Sequence, residues 1–120
     1  MDTNKHSDPT GFTATFQAEP TLDSVRALPG WTLLEFGAAW CGICRAAQPA
    51  LMSAMAEHPK LRHLKLADGK GRPLGRAFGV KLWPTLVLLH DGTEVARKVR
   101  PANREQIGGL LAETRRATVS

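Results

Sequence analysis

The two cysteines of this 120-residue chain lie three positions apart, where an apolar segment passes into a helical pattern. Residues 31–36 are mostly apolar, which is typical of a strand buried on both faces. Residues 40–44 read WCGIC, and two thiols at this spacing fall on one face of a starting helix. Because the chain has no other cysteine, it cannot build a disulfide framework. We therefore expect Cys41 and Cys44 to close and reopen one small disulfide.

Composition indicates one ordinary globular domain. Hydrophobic residues make up 42% of the chain and charged residues 22%, as in proteins with a single core. We expect a flexible tail over residues 1–11, one domain over residues 12–117 and a short tail over residues 118–120. Residues 1–10 show no secretory signal, and the apolar stretch 82–89 is too short to cross a bilayer. We thus expect a cytoplasmic monomer with no membrane partner.

The net charge of +5 comes from basic residues that are dispersed along the chain. Such a charge attracts acidic partners or nucleic acid at long range. However, no RNA-binding aromatic motif, zinc-finger spacing or basic helix accompanies it. We interpret the basic residues as a solvated surface and expect no nucleic-acid partner, while a basic docking surface stays as the alternative.

Hydrophobic periodicity predicts an α/β fold with the order β-α-β-α-β-α-β-β-α. Predicted strands cover residues 12–16, 31–36, 61–67, 85–89 and 94–99. Predicted helices cover residues 21–28, 41–58 and 73–78, and a last helix follows Asn103. Asn103 should cap this last helix, with Gln106 as its capping-box partner. Strands joined by helices should run parallel, and a hairpin turn at Asp91-Gly92 should add an antiparallel strand. The prediction is a central mixed sheet with helices on both faces.

The helix that follows Cys41 carries an apolar stripe. Cys44, Leu51 and Met55 recur at helical steps, and Met52 is also expected in the core. Pro49 should kink this helix, because proline lacks the backbone N–H that an inner turn needs.

Taken together, these residues resemble the thioredoxin family over about residues 12–117. Residues 36–44, FGAAWCGIC, match the family signature Phe-x-Ala-x-Trp-Cys-Gly-x-Cys. Pro49 falls at the family's helix-kinking proline, residues 83–85 (WPT) at its cis-proline segment and Gly92 at its hairpin glycine. Lys65 falls on the family's Lys-Leu strand, near a buried acid. The resemblance implies the thioredoxin fold and a thiol–disulfide oxidoreductase without a cofactor.

The resemblance also implies the partners. These are disulfide-containing protein substrates and an electron-donating reductase such as thioredoxin reductase. Several positions near the cysteines differ from the family pattern. They predict a bulkier, more basic substrate surface, and Ile43 also predicts a shifted redox potential. The departures are Ile43 for proline, Glu35 for aspartate, Gly37 for an aromatic residue, Leu82 for a small residue, a bulky Trp83, and Arg100 for glycine.

The two thiols are expected to have separate roles. Only a thiolate attacks a disulfide, and a helix N-terminus stabilises the thiolate, so Cys41 is the expected nucleophile. Ile43, unlike proline, keeps a backbone N–H that could also bond this sulfur. Cys44 lies one turn further in and should resolve the mixed disulfide by attacking the Cys41 sulfur.

Glu35 and Lys65 are candidates for proton transfer. Glu35 points to the face opposite Leu34 and Phe36, so a strand buried on both faces would bury its carboxylate. A carboxylate there could take the proton of Cys44 during resolution, with Lys65 as its partner. The alternatives are a solvent-facing glutamate and a surface lysine.

The expected substrate-binding residues surround Cys41. They are Trp40, Gly42, Ile43, Trp83 and Pro84. The resemblance implies a cis bond before Pro84 and a backbone at Trp83 that pairs with an extended substrate. Both tryptophans could instead pack partly in the core.

Other functions remain open at this point. Zinc needs about four ligands, and His58, His63 and His90 have no matching spacing, so no metal site is expected. A disulfide oxidase or isomerase would use the same two cysteines. A non-enzymatic, thioredoxin-like binding module would not need them.

Overall fold

The structure, a computed structural model, describes residues 10–117 and is built around one four-stranded sheet. The strands are β1 (Trp31–Gly37), β2 (Arg62–Ala67), β3 (Thr85–His90) and β4 (Thr93–Val99). The helices are α1 (Leu22–Arg26), α2 (Gly42–Ala46), α3 (Gln48–Met55), α4 (Pro73–Ala77), α5 (Arg104–Leu111) and α6 (Glu113–Ala117). Apart from residues 10 and 11, the two predicted tails lie outside the described residues. Among the helices described, none is long and apolar enough to cross a membrane.

The sheet is mixed, with the strand order β2-β1-β3-β4. β1 and β2 are parallel, and β3 is antiparallel to both β1 and β4. The prediction that all helix-linked strands run parallel is therefore wrong for β3. A parallel neighbour requires the connection to return along the whole sheet, about 20 Å for a strand of this length. The only helix in that connection, α4, has five residues and spans about 7.5 Å.

The predicted strand at residues 12–16 does not form, so the element order starts with α1. The segment instead runs along the free edge of β2 with mixed contacts. The Gln17 backbone N–H donates to the Lys65 carbonyl at 2.9 Å, but the Thr13 N–H donates to the His63 ring at 2.8 Å. A side-chain acceptor in place of a carbonyl interrupts the ladder, which is why no regular strand pairs here.

The helix after Cys41 is divided, as Pro49 predicts. α2 ends at Ala46, and α3 begins at Gln48 with Pro49 in its first turn, where the missing N–H costs least. Met55 is buried as expected, but the core position predicted for Met52 is wrong, because its side chain is 53% exposed. Met52 lies one residue after Leu51, and one helical step turns it away from the buried stripe.

Each face of the sheet has its own core, which confirms helices on both sides. Leu33 packs with Leu51 of α3 and Ile107 of α5, whereas Phe36 packs with Val25 of α1 and Leu74 of α4. Burying one such side chain contributes about 1.5–3 kcal/mol. Strand alternation places the next inward position on the α3 face at residue 35, so a carboxylate sits within that core.

Local signals for turns and caps are confirmed. Asp91 and Gly92 both have positive φ, 51° and 80°, as a two-residue hairpin requires. A Cβ on Gly92 would lie 1.9 Å from the carbonyl oxygen of Arg26, so no other residue fits there. Asn103 accepts from the Gln106 N–H at 2.9 Å at the start of α5.

Candidate active site

Cys41 is the N-cap of α2, just beyond the end of β1. Its Sγ accepts a hydrogen bond from the Cys44 backbone N–H at 3.1 Å. The unpaired N–H groups of a helix start favour the negative thiolate. The side chain of Cys41 is 8% exposed, beside Trp40, which is 74% exposed. The Cys41 sulfur thus accepts a backbone N–H at a helix start, at the edge of the protein surface.

Cys44 lies deeper and holds its proton more strongly. Burial raises the pKa of the Cys44 thiol to about 11, and its hydrogen bond with Cys41 acts in the same direction. The charges of Cys41 and Glu35 raise it further, against a lowering contribution from the Ala38 backbone. At neutral pH the Cys44 thiol is therefore protonated and needs a base before it can attack.

Gly37 gives Cys44 its space. A Cβ built on Gly37 would lie 2.7 Å from the Cys44 sulfur. A side chain at residue 37 would therefore have to displace the Cys44 thiol. The Cys44 sulfur thus occupies the space that the aromatic residue of the family pattern would need.

Glu35 is buried and directly hydrogen-bonded to two side chains. Its carboxylate is 2% exposed, so the solvent-facing alternative is wrong. Oε1 lies 2.9 Å from His63 Nε2, and Oε2 accepts from Gln48 Nε2 at 2.7 Å. The same Gln48 amide donates to the Cys44 carbonyl at 3.0 Å, which joins the carboxylate to the helix that carries Cys44.

Lys65 reaches Glu35 only through Gln48. Its Nζ donates to Gln48 Oε1 at 2.9 Å and lies 5.0 Å from the centroid of the Phe16 ring. The residue is 7% exposed, so the surface-lysine alternative is wrong. The expected direct pairing of Lys65 with Glu35 is corrected: His63 and Gln48 occupy the carboxylate oxygens. We call Glu35, His63, Gln48 and Lys65 the buried network.

Sequence reasoning missed His63 and Gln48. His63 entered only as a rejected zinc ligand, although it alternates with apolar neighbours in β2 and shares a sheet face with Lys65. Gln48 lies four residues after Cys44, on the same helix face. Polar residues at these spacings in otherwise apolar elements were the available signal.

The segment before β3, where substrate binding was expected, packs against Cys41. The Trp83-Pro84 peptide bond is cis, as expected. Trp83 packs against Cys41 and lies edge-on to Trp40, with ring centroids 5.3 Å apart. Ile43 is 50% exposed beside them. The partial core packing considered for the tryptophans holds for Trp83 but not for Trp40.

Two polar side chains hold Trp83. Its indole Nε1 donates to Asp68 Oδ2 at 2.8 Å, and its carbonyl oxygen accepts from Arg100 Nε at 2.7 Å. Arg100 has a positive φ of 50°, a conformation that favours glycine. Arg100 thus occupies the backbone carbonyl of Trp83, the residue that was expected to pair with a substrate.

Comparisons with known proteins agree with this geometry. The family model "Thioredoxin" matches residues 15–113. A thioredoxin of Chlamydia muridarum is 39% identical over 85 residues, which cover 70% of this chain and 82% of that protein. The solved structure of reduced thioredoxin 2 from Pseudomonas aeruginosa is 47% identical, with a TM-score of 0.77 over 86% of this chain and 96% of that one. The chain belongs to the thioredoxin family.

Family membership establishes the fold and the general activity. The chain is a thiol–disulfide oxidoreductase with the thioredoxin fold. Proteins of this family act on disulfide substrates and are generally reduced by thioredoxin reductase. A thioredoxin of Chlamydia trachomatis, 35% identical over 79% of this chain and 91% of that protein, supports the same assignment.

A cavity of about 530 Å³ opens beside Cys44 of this thioredoxin-family chain. Its walls are mainly apolar, from Phe12, Phe16 and Met52, and it also reaches Cys44 and Lys65. Across residues 10–117, no three histidine, cysteine, aspartate or glutamate side chains are grouped to hold a metal ion. The residues that meet at this site are suited to thiol and proton chemistry.

Proposed function

We propose that the chain reduces protein disulfides, with Cys41 as the nucleophile and Cys44 as the resolving thiol. The asymmetry between the two sulfurs carries this proposal. Cys41 Sγ accepts the N–H of Cys44 at the helix start, whereas burial keeps the Cys44 thiol protonated. Cys41 therefore attacks the substrate first, and the protonated Cys44 thiol attacks only after a base has removed its proton.

The reaction follows from this asymmetry in two steps. The Cys41 thiolate attacks one sulfur of the substrate disulfide, and the other substrate sulfur leaves as a thiolate. Glu35 then takes the Cys44 proton, and the Cys44 thiolate attacks Cys41 Sγ. The second substrate sulfur leaves, so two electrons pass from the dithiol to the substrate. We assign Glu35 as the base because it is buried and shares Gln48 with Cys44.

We assign substrate binding to the surface around Cys41. Trp40, Gly42 and Ile43 are exposed there, and Trp83 and Pro84 form the facing wall. An extended substrate would add a strand-like segment to the Trp83 backbone. This surface is large and apolar, which suits a peptide chain rather than a small thiol.

The finer assignments complete the proposal. Residues 12–117 form one catalytic domain that acts as a monomer in a reducing cytoplasm, and thioredoxin reductase supplies its electrons. The single sheet with a core on each face supports one domain. Lys65 acts on Glu35 through Gln48.

The test is turnover of a disulfide protein such as insulin, with thioredoxin reductase and NADPH or with dithiothreitol as the electron source. Wild type should turn over, and Cys41→Ser should abolish activity. Cys44→Ser should accumulate a mixed disulfide at Cys41, seen by mass spectrometry. Activity that survives Cys41→Ser, or an adduct on Cys44 instead, would contradict the assigned roles.

The redox potential of the Cys41–Cys44 couple tests the direction. The redox potential of a reductase of this family should be about −270 mV, and that of a strong oxidase about −120 mV. Equilibration with glutathione buffers gives the value. A potential at the oxidase end would replace the reductase by the oxidase or isomerase alternative.

A further inference from the structure

Both oxygens of the Glu35 carboxylate have a dedicated donor. His63 approaches Oε1 at 2.9 Å from β2, and Gln48 donates to Oε2 at 2.7 Å from α3. Burying a carboxylate costs free energy unless its oxygens are hydrogen-bonded. Donors to the charged form also favour ionisation. The two contacts therefore replace hydrogen bonds to water that the buried carboxylate lacks.

The contacts of His63 determine where its proton lies. Nδ1 accepts the Thr13 backbone N–H at 2.8 Å, so it carries no hydrogen of its own. The ring hydrogen of the neutral histidine is then on Nε2 and points to Glu35. The ring is fully buried, and Thr13 Oγ1 also donates to the His63 carbonyl at 3.0 Å. The two Thr13 contacts thus orient His63 as a hydrogen-bond donor toward the Glu35 carboxylate.

Gln48 is oriented in the same way. Its Oε1 accepts from Lys65 Nζ, which leaves the amide N–H groups to donate to Glu35 and to the Cys44 carbonyl. A flipped amide would place its N–H groups against the lysine ammonium. Lys65 therefore determines which end of Gln48 faces the carboxylate.

We propose that His63 and Gln48 are positioning residues that hold the Glu35 carboxylate as a proton acceptor, and so set the pH range in which Cys44 is deprotonated for resolution. This inference rests on the proposed role of Glu35 as the base. The proton passes from Cys44 Sγ to the carboxylate. The sulfur's electron pair forms the bond to Cys41 Sγ, and the bond from Cys41 to the substrate sulfur breaks with its electrons on the substrate.

Within residues 10–117, few other titratable groups lie near this carboxylate. Around Glu35, β2 contributes His63 and Lys65, and α2 contributes Cys44, which is coupled to Cys41. The other packed elements contribute uncharged side chains, namely Leu86 of β3 and Gln48 of α3. A change in the pH profile on substitution of His63 therefore reports on Glu35 and the thiols.

The test separates the two chemical steps. Reduced protein mixed with the chromogenic disulfide DTNB releases one thiolate when Cys41 attacks and a second when Cys44 resolves the mixed disulfide. The rate of the second release is followed against pH in wild type, His63→Leu and His63→Gln. Glutamine keeps an N–H donor near the position of Nε2, whereas leucine keeps only the volume.

In His63→Leu we expect the pH midpoint of the second release to rise by about one unit, which is about a tenfold loss of rate below the midpoint. The first release should keep the wild-type rate, and His63→Gln should return the midpoint toward wild type. His90→Leu is the matched control, because His90 lies across β1 from His63 and stacks on Trp31 instead of contacting Glu35. Gln48→Met, on a partly exposed helix, should raise the midpoint as well and tests the proposal even if His63→Leu fails to fold.

Two results would overturn the inference alone. One is a wild-type pH profile in His63→Leu and Gln48→Met. The other is a His63→Gln variant as impaired as His63→Leu, which would mean that ring packing and not the hydrogen bond is needed. A wild type that releases no second thiolate would overturn the proposed function itself, and this inference with it.

Discussion

On the substrate side of Cys41, Trp40 and Ile43 are 74% and 50% exposed, whereas on the opposite side Glu35 and His63 are 2% and 0% exposed. The two sides of one reacting sulfur pair thus differ in almost every physical respect. The exposed side presents apolar area, and its backbone acceptor at Trp83 is occupied by Arg100. The buried side offers hydrogen bonds of fixed direction to a proton acceptor. Substrate choice and proton transfer are therefore separable by mutation.

The largest effect should follow from removing the base. Glu35→Leu should slow resolution at neutral pH by about 10²- to 10⁴-fold, the usual contribution of a positioned general base. The attack by Cys41 should be unaffected, whereas the free energy of unfolding should fall by about 1–3 kcal/mol, because His63 and Gln48 lose their buried acceptor. Single-turnover kinetics with DTNB measure both steps, and urea unfolding measures stability.

If Glu35→Leu slowed the attack by Cys41 as much as the resolution step, the exposed and buried sides of the sulfur pair would not have separate functions. Glu35→Gln keeps the shape but cannot accept the proton, and it is the matched variant. Resolution as fast as in wild type in Glu35→Gln would remove Glu35 from the proposed mechanism.

A smaller effect concerns the pH dependence of Cys44. With its pKa raised to about 11 by burial, Cys44 has only a small thiolate fraction at neutral pH. Its alkylation by iodoacetamide should rise about tenfold per unit between about pH 7 and pH 10. The Cys41→Ser variant leaves Cys44 as the only thiol and retains burial, the main cause of the shift. A rate that levels off near pH 9, as for an ordinary thiol, would show that Cys44 is not protected on the buried side.

The smallest effect should come from the exposed side. Arg100→Gly removes the guanidinium from the Trp83 carbonyl and relieves a positive φ. We expect KM for a neutral peptide disulfide to fall several-fold, as for one hydrogen bond, and stability to rise by about 1 kcal/mol. Resolution should not change.

Arg100→Ala is the matched control, because it frees the carbonyl but keeps the unfavourable φ. The two variants should share the lower KM, and only Arg100→Gly should gain stability. An unchanged KM in both would mean that the Trp83 carbonyl does not bind substrate.

Much of the local structure could be predicted because its causes are local. Thr21 caps α1, Pro49 divides the active-site helix, and Asp91-Gly92 forms the hairpin, each through the backbone of its neighbours. The cysteine spacing likewise predicted a reactive pair at a strand-to-helix junction. These features need only a few adjacent residues.

The errors have a different origin. The strand expected at residues 12–16 has the right alternation, but its partner β2 presents a histidine ring where a ladder carbonyl was needed. The direction of β3 depends on the length of the connection through α4, and not on the strand's own pattern. The exposure of Met52 depends on which side of α3 faces the sheet. Each outcome depends on a partner distant in sequence.

The sequence by itself determined the family, the two thiols and the order of most elements, because the spacing of cysteines, prolines and glycines acts over a few residues. Only the tertiary structure decided what surrounds those thiols. Gln48 and His63 lie 13 and 28 residues from Glu35 in the sequence, yet both contact its carboxylate. Those contacts exist because the parallel pairing of β1 with β2 and the packing of α3 bring three polar side chains into one apolar face, where each must find a hydrogen-bond partner.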